Sequence, residues 1–211
     1  MVIGTPVVSF GYAGIGAVAV LAGSIVSTRF ALSARVRALV QHAAAGTVLA
    51  GLVVDVLDKL LHRAGQLVAA VAAVAGMVAG LVAMLAIRAW ADGAGVGTFV
   101  VTAAVDILVD GVLIGLSAAL GAGTGLLFAV ALAPEVGLLG VSAAAALRKR
   151  RPSGRVVAAA AGIGAAIRAA GSLGWVIAQS GSFAATAVLG LGASVIIYLG
   201  SRGATSGSAR D

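Results

Sequence analysis

Two aspartates lie inside an otherwise apolar stretch of this chain, where acidic side chains need a reason. The stretch reads "TAAVDILVDGVLIGLSAAL", residues 102–120, and the acids are Asp106 and Asp110. Because they are four residues apart, both carboxylates lie on one face if the stretch is helical. The same spacing extended backwards reaches Thr102 and Thr98, so one stripe of the helix is polar. Such a stripe faces protein, water or an ion rather than lipid.

Asp106 and Asp110 have the chemistry of a cation site. Two like charges one turn apart repel at low dielectric, so they stay ionised only beside a cation, and otherwise one takes a proton. Glu135 follows Pro134, and a proline inside a helix removes a backbone hydrogen bond and leaves the carbonyl of Val130 free. Carboxylates with a free carbonyl and water suit Mg, Mn or Ca, or Zn with weaker selectivity. Asp106, Asp110 and Glu135 are therefore candidate metal ligands.

Arg168 lies inside another apolar run and offers a second interpretation of these acids. Each ionisable side chain at membrane depth costs at least about 2.5 to 3.5 kcal/mol on insertion scales. Arg168 could reach Asp110 or Glu135 and form a buried ion pair that only holds helices together. A bound cation or proton relay and a structural ion pair both remain open. His42, near the end of a separate run, is more typical of an interface residue than of a ligand.

The composition places these residues in a membrane. Hydrophobic residues make up 61% of the 211 residues, charged residues 10%, and the mean hydropathy is +1.15; no soluble domain of this length has such a composition. A helix needs about 20 apolar residues to cross about 30 Å of hydrocarbon. We therefore expect an all-α polytopic transmembrane bundle of seven helices, forming one domain over residues 1–201. The predicted spans are 5–27, 37–58, 66–90, 97–120, 124–147, 156–178 and 182–200.

The distribution of basic residues predicts the orientation, because cytoplasmic loops carry an excess of Lys and Arg. With the N-terminus outside, eleven basic residues fall on the cytoplasmic side and only Lys59 and Arg63 on the outer side. We expect an N-out, C-in protein of a bacterial or archaeal plasma membrane, with the lipid bilayer as partner. The net charge of +7 then reflects loops such as "RKRRPSGR" rather than a nucleic-acid site. The tail, residues 202–211, is small and polar, which predicts disorder.

Small residues are abundant and cysteine is absent. Many of the 31 glycines fall inside the runs at four-residue spacing, as at Gly111 and Gly115. This spacing lets helices approach closely, and it permits a homodimer without requiring one. Trp90 and Trp175 lie towards the ends of runs, where indole rings anchor at the membrane interface. Without cysteine the chain has no disulfide, no thiolate metal site and no cysteine nucleophile.

Three runs together resemble helices of the ZIP family of divalent-metal transporters, and the likeness covers most of the chain. "HAAAGTVLAGLVVDVLDKLL" is similar to the family's second helix and carries Asp55 near its end. "DILVDGVLIGLS" resembles the His-Asn-x-Pro-Glu-Gly helix, with Asp106 at the histidine position and Asp110 at the glutamate. "ALAPEVGLLG" resembles the His-Glu-x-Pro-Glu-Gly helix and keeps Pro134 and Glu135.

The chain departs from the family pattern at several positions. Ala131 stands at the histidine of the fifth helix, Ile107 at the asparagine of the fourth and Val109 at its proline. Arg168 aligns with a glutamate of the sixth helix, and its fixed positive charge would compete with a metal. The family's eighth helix has no counterpart here.

The resemblance implies a carrier of divalent cations of the Zn, Mn or Fe class, with the metal as substrate and no other cofactor. Its site would lie between the fourth and fifth helices and open to each side in turn, with Asp55 as a contributor from the second helix. No ATP-binding loop is present in the sequence. The alternative is a non-transporting structural or regulatory relative in which Arg168 neutralises the acids. An enzyme is not expected, because Asp106 and Asp110 share one helix rather than facing each other.

Overall fold

The structure of this chain is a computed structural model that describes residues 6–29, 65–93, 98–148 and 153–207, with single positions between 33 and 62. Every element in these ranges is an α-helix, which confirms the all-α class. The helices are numbered in chain order. They are α1 (Pro6–Arg29), α2 (Gln66–Gly93), α3 (Thr98–Leu120), α4 (Ala122–Arg148), α5 (Ser153–Gln179) and α6 (Ser182–Gly207).

Five of these helices, α1 to α5, are long and apolar enough to cross a membrane, which indicates an integral membrane protein. The apolar part of α6 is shorter, Ser182–Val195. Six of the seven predicted spans coincide with helices to within a few residues, except that α6 continues to Gly207, into the predicted tail. Disorder of that tail stays a prediction. The second predicted span, 37–58, lies outside the described residues apart from isolated helical positions, so the seventh helix stays a prediction too.

Glycines turn the chain between neighbouring helices. Gly121 alone separates α3 from α4, and its carbonyl accepts a hydrogen bond from the amide of Gly125 at 2.9 Å. Ser180 and Gly181 separate α5 from α6, and Gly181 has a φ of 125°, which L side chains rarely adopt. Each connection therefore reverses the chain with very few residues.

Four helices pack into a closed bundle in the order α1, α4, α3, α5, and α1 also contacts α3 across it. We call these the four-helix group. Its centre is α3: in the most apolar 18 residues of α3, 61% are buried, compared with 22% in α2. The largest side chains of the core include Leu113 and Ile114 of α3 and Phe128 and Leu132 of α4, none with exposed surface.

The remaining two helices, α2 and α6, pack mainly against each other and contact the four-helix group chiefly through α3. We call them the helix pair. A shallow apolar groove of about 210 Å³ lies where α3, α5 and α6 meet, lined by residues such as Val112, Ile177 and Leu191. This groove lies at the boundary between the helix pair and the four-helix group.

Glycine contacts between backbones hold both parts together. A Cβ atom on Gly111 of α3 would lie 2.6 Å from the carbonyl oxygen of Ile167 on α5, closer than real Cβ contacts. Gly115, also on α3, packs directly on the backbone of α5, and Gly76 of α2 packs in the same way on Ala187 of α6. The predicted role of small residues in close packing is confirmed at these crossings.

The order of contacts along two helices gives their relative direction. Ala13, Gly14 and Ala17 of α1 meet Gly171, Arg168 and Gly164 of α5 respectively, so rising numbers on one helix meet falling numbers on the other. These contacts show that α1 and α5 run antiparallel.

Candidate functional site

The central helix α3 carries two acids into the interior of the four-helix group. Asp110 is 1% exposed and Asp106 is 9% exposed. Their spacing of one turn places both on the same face of α3, as the sequence predicts. The neighbouring residues of α3 itself are mainly Val, Ile, Leu and Gly. Two acids are therefore held where water does not solvate them freely.

Glu135 brings a third carboxylate to the same place from α4. It is half-buried, and it lies close enough to Asp106 and Asp110 for the charges to repel one another. Pro134 directly before it is exposed, and α4 continues through this proline without interruption. Pro134 and Glu135 face different sides of α4, because successive residues of an α-helix are rotated by about 100°. Asp106, Asp110 and Glu135 thus form one acid cluster.

The acid cluster has buried oxygens without hydrogen-bond partners. Both carboxylate oxygens of Asp110 and the Oε2 atom of Glu135 are in this condition. Buried carboxylates without partners are strongly destabilising, since an unsatisfied buried polar group costs about 1–3 kcal/mol and a charged one more. A protein that retains such groups at its centre carries a stability cost that packing alone does not explain.

Arg168 of α5 follows Ile167, which contacts Gly111 of α3, and its side chain is directed towards α1. The Cζ atom of its guanidinium is 4.2 Å from the centroid of the Phe10 ring, a cation–π contact. A Cβ atom on Gly14 would lie 3.1 Å from Nη2 of the same guanidinium, so the glycine leaves room for it. The Nε atom of Arg168 is buried without a hydrogen-bond partner. The ion pair with Asp110 or Glu135 that the sequence allows is not formed between these described residues.

The structure brings together three of the four predicted metal ligands, Asp106, Asp110 and Glu135. The fourth, Asp55, lies outside the described residues, as does His42. Thr98 and Thr102 lie on α3, on the stripe that leads to Asp106, and their side chains also fall outside the description. Within the described ranges, no group of three His, Asp or Glu side chains has the spacing of a metal site. Coordination by the cluster would require its side chains to turn towards a common point.

Phe10 and Gly14 are the contacts of Arg168 that the sequence did not identify. They lie one turn apart on α1, so the aromatic ring and the missing side chain are on the same face. That pairing, together with an arginine in another span, is the sequence signal that could have found them. It is a weak signal, because nothing local shows that α1 packs on α5.

Comparison with known protein families finds no family model that matches the chain. Comparison with curated proteins likewise finds no significant relative. The resemblance to the ZIP family therefore stays a prediction based on the residues themselves.

Proposed function

We propose that this chain is a ZIP-like membrane carrier of divalent metal cations and that Asp106, Asp110 and Glu135 bind the cation. The observation that carries the proposal is the acid cluster, buried on the central helix, with both Asp110 oxygens free of hydrogen bonds. Binding draws the three carboxylates to a common point, and Asp55 of the second predicted span and water complete the coordination. Hard oxygen ligands of this kind favour Mn or Zn over soft metals.

The charge of the interior supports a divalent substrate. Among the described residues, three ionised carboxylates and the guanidinium of Arg168 leave two negative charges in excess, and Asp55 would add a third. A divalent cation offsets more of this excess than a monovalent cation does in a medium of low dielectric. The same balance makes metal binding compete with protons for the carboxylates.

The division into a four-helix group and a helix pair supports alternating access. All three candidate ligands that the structure describes belong to the four-helix group, and an apolar groove of about 210 Å³ lies at its boundary with the helix pair. An apolar boundary of this kind can slide at low cost. Movement of the helix pair against the four-helix group would shift α3, which carries Asp106 and Asp110, within that group and so open the acid cluster to each side of the membrane in turn.

The direction of α1 supports a seventh membrane crossing. If α1 to α5 crossed the membrane one after another with nothing between them, four reversals would leave α1 and α5 parallel. They are antiparallel, so we infer one further crossing. The connections 94–97 and 149–152 hold four residues each, which span about 14 Å when extended and are too short to cross. The span that the sequence predicts at 37–58 would supply this crossing.

The alternative function is a non-transporting structural or regulatory protein in which Arg168 neutralises the acids. It predicts direct contact between the guanidinium and a carboxylate. In this structure the guanidinium contacts Phe10 instead. The carrier is therefore the function that the geometry of the described residues supports better.

Thermal unfolding of the purified protein in detergent, with and without Mn, Zn or Cd, tests metal binding. A ligand at one hundred times its dissociation constant stabilises a protein by about 2.7 kcal/mol, so the parent chain should unfold at a clearly higher temperature with metal. Asp110→Asn should lose this shift. Ser117→Ala, two turns further along α3, removes only a hydrogen bond to the Leu113 carbonyl and should keep it. No shift in the parent, or an equal shift in Asp110→Asn, would contradict the proposal.

A further inference from the structure

Arg168 is the one charged group at the site that the proposed function leaves without a role. It lies on α5 directly beside the place where α5 crosses α3: a Cβ atom on Gly111 would lie 2.6 Å from the carbonyl oxygen of Ile167. Gly111 follows Asp110, and Arg168 follows Ile167. The cation and the most buried acid are therefore each one residue away from the same backbone contact.

The guanidinium of Arg168 lies in a well-defined position against α1. It stacks on the Phe10 ring at 4.2 Å and fills the space that Gly14 leaves open. We call this position the Phe10 station. A guanidinium stacks on an aromatic face without using its N–H donors, so stacking alone leaves those donors unsatisfied. The buried Nε atom of Arg168 has no hydrogen-bond partner in this position.

The acid cluster has the complementary deficiency. Asp110 has two buried acceptor oxygens without donors, and Glu135 has one. An arginine side chain is long and flexible, and its planar fork of donors matches a carboxylate. The guanidinium of Arg168 has a buried donor without an acceptor, and Asp110 and Glu135 have buried acceptors without donors. Arg168 and Asp110 both adjoin the crossing of α3 and α5.

We propose that Arg168 exchanges between the Phe10 station and the carboxylates of Asp110 and Glu135, and that a divalent cation and the guanidinium exclude each other from the acid cluster. This inference rests on the proposed function for the identity of the cation. When the site is empty of metal, the guanidinium populates both the Phe10 station, where it lies in this structure, and the acids, where it neutralises part of their charge. When metal binds, Arg168 returns to the Phe10 station. Arg168 is a positioning residue, and it sets how tightly the metal is held.

The inference is tested first without metal, by thermal unfolding of Arg168→Gln, Asp110→Asn and the double variant, each in the parent chain and in Phe10→Leu. If the guanidinium reaches Asp110, the effects of Arg168→Gln and Asp110→Asn on the free energy of unfolding do not add up in the double variant. Phe10→Leu removes the ring but keeps an apolar side chain, so it should increase the non-additivity by shifting Arg168 onto the acids. Phe183→Leu on α6 is the matched control, since both phenylalanines are about half exposed, and it should leave the non-additivity unchanged. Additive changes in both backgrounds would overturn the inference whether or not metal binds.

The second test is the dissociation constant for Mn, measured by titration of the same proteins. Arg168→Gln should bind Mn at least about tenfold more tightly, because it removes a competing cation. Phe10→Leu should weaken Mn binding by about threefold or more, because it removes the cation–π contact that holds Arg168 away from the acid cluster. In Gly14→Ala the added methyl group displaces the guanidinium while the Phe10 ring stays in place. This change should also weaken Mn binding.

The decisive comparison is Phe10→Leu made in the Arg168→Gln protein, where it should leave Mn affinity unchanged. If Phe10→Leu weakens binding equally with and without Arg168, the ring acts on the site by another route and the exchange is wrong. If no protein binds any divalent metal but Arg168 and Asp110 are still non-additive, the exchange between the two positions stands and the proposed transport function fails.

Discussion

The four-helix group and the helix pair are built with the same packing device but different side-chain chemistry. Both rely on glycines that let backbones touch, as at Gly115 in the group and Gly76 in the pair. In the helix pair, residues 66–87 and 182–201 contain no Asp, Glu, His, Lys or Arg. The four-helix group carries Asp106, Asp110, Glu135 and Arg168 within its apolar helices. Glycine packing therefore explains how the helices associate, and only the charged residues point to a function.

The largest effect should come from side chains placed at either glycine crossing, and it should be the same in both regions. Gly115→Leu and Gly76→Leu each force a side chain into the backbone of the facing helix. Overpacking of this kind costs about 3 kcal/mol or more, enough to lose the folded protein. Thermal unfolding and the yield of monodisperse protein measure it. Gly162→Leu is the control, because nothing lies within 4 Å of a Cβ atom there. A tolerated change at one crossing would mean that only the other region depends on close packing.

A cross-link between the two regions should stop transport without preventing metal binding. The chain has no cysteine, so introduced pairs act alone. A Cβ atom on Gly192 of α6 would lie 3.4 Å from Cγ of Leu113 on α3, which is near the geometry of a disulfide. Oxidised Leu113→Cys/Gly192→Cys should show no metal uptake into vesicles and should recover on reduction.

The matched cross-link lies inside the four-helix group. A Cβ atom on Gly137 of α4 would lie 3.9 Å from Cβ of Ala19 on α1, which is the spacing of a disulfide, so Ala19→Cys/Gly137→Cys joins α1 to α4 without touching the helix pair. This protein should transport in both redox states. Transport by the oxidised Leu113→Cys/Gly192→Cys protein would show that the two regions do not need to move against each other.

A smaller effect distinguishes the chemistry of the two regions. Made in the Arg168→Gln protein, where no guanidinium can reach the acids, Asp110→Leu removes buried oxygens that have no partner, so it should raise the free energy of unfolding by about 1–3 kcal/mol while abolishing metal binding. Ser194→Ala in the helix pair removes only a bond to the Leu191 carbonyl at 2.8 Å and should change stability little. Denaturation in detergent measures both. A double variant less stable than Arg168→Gln alone would indicate that Asp110 has a structural partner other than Arg168.

The spans and the acid cluster could be predicted because their signals are local. Hydropathy over about 20 residues identifies a span, and helical periodicity places Asp106 and Asp110 on one face. The inward position of Glu135 could also be predicted, because an acid in the middle of a span avoids lipid and faces the protein interior.

The position of Arg168 could not be predicted, because it depends on which helices touch. Sequence spacing shows that an arginine is long enough to reach an acid, but not that α1 offers Phe10 and an open Gly14 on its other side. The division into a four-helix group and a helix pair is equally non-local. It arises from the matching of glycines on helices far apart in the chain, such as Gly76 with Ala187.

Uptake of Cd or Mn into sealed vesicles that contain the purified protein tests the central claim most directly. The parent chain and Ser117→Ala should show saturable uptake, and Asp110→Asn should show none above protein-free vesicles. Uptake that continues unchanged in Asp110→Asn, or its absence in a parent chain shown to be folded, would contradict the claim.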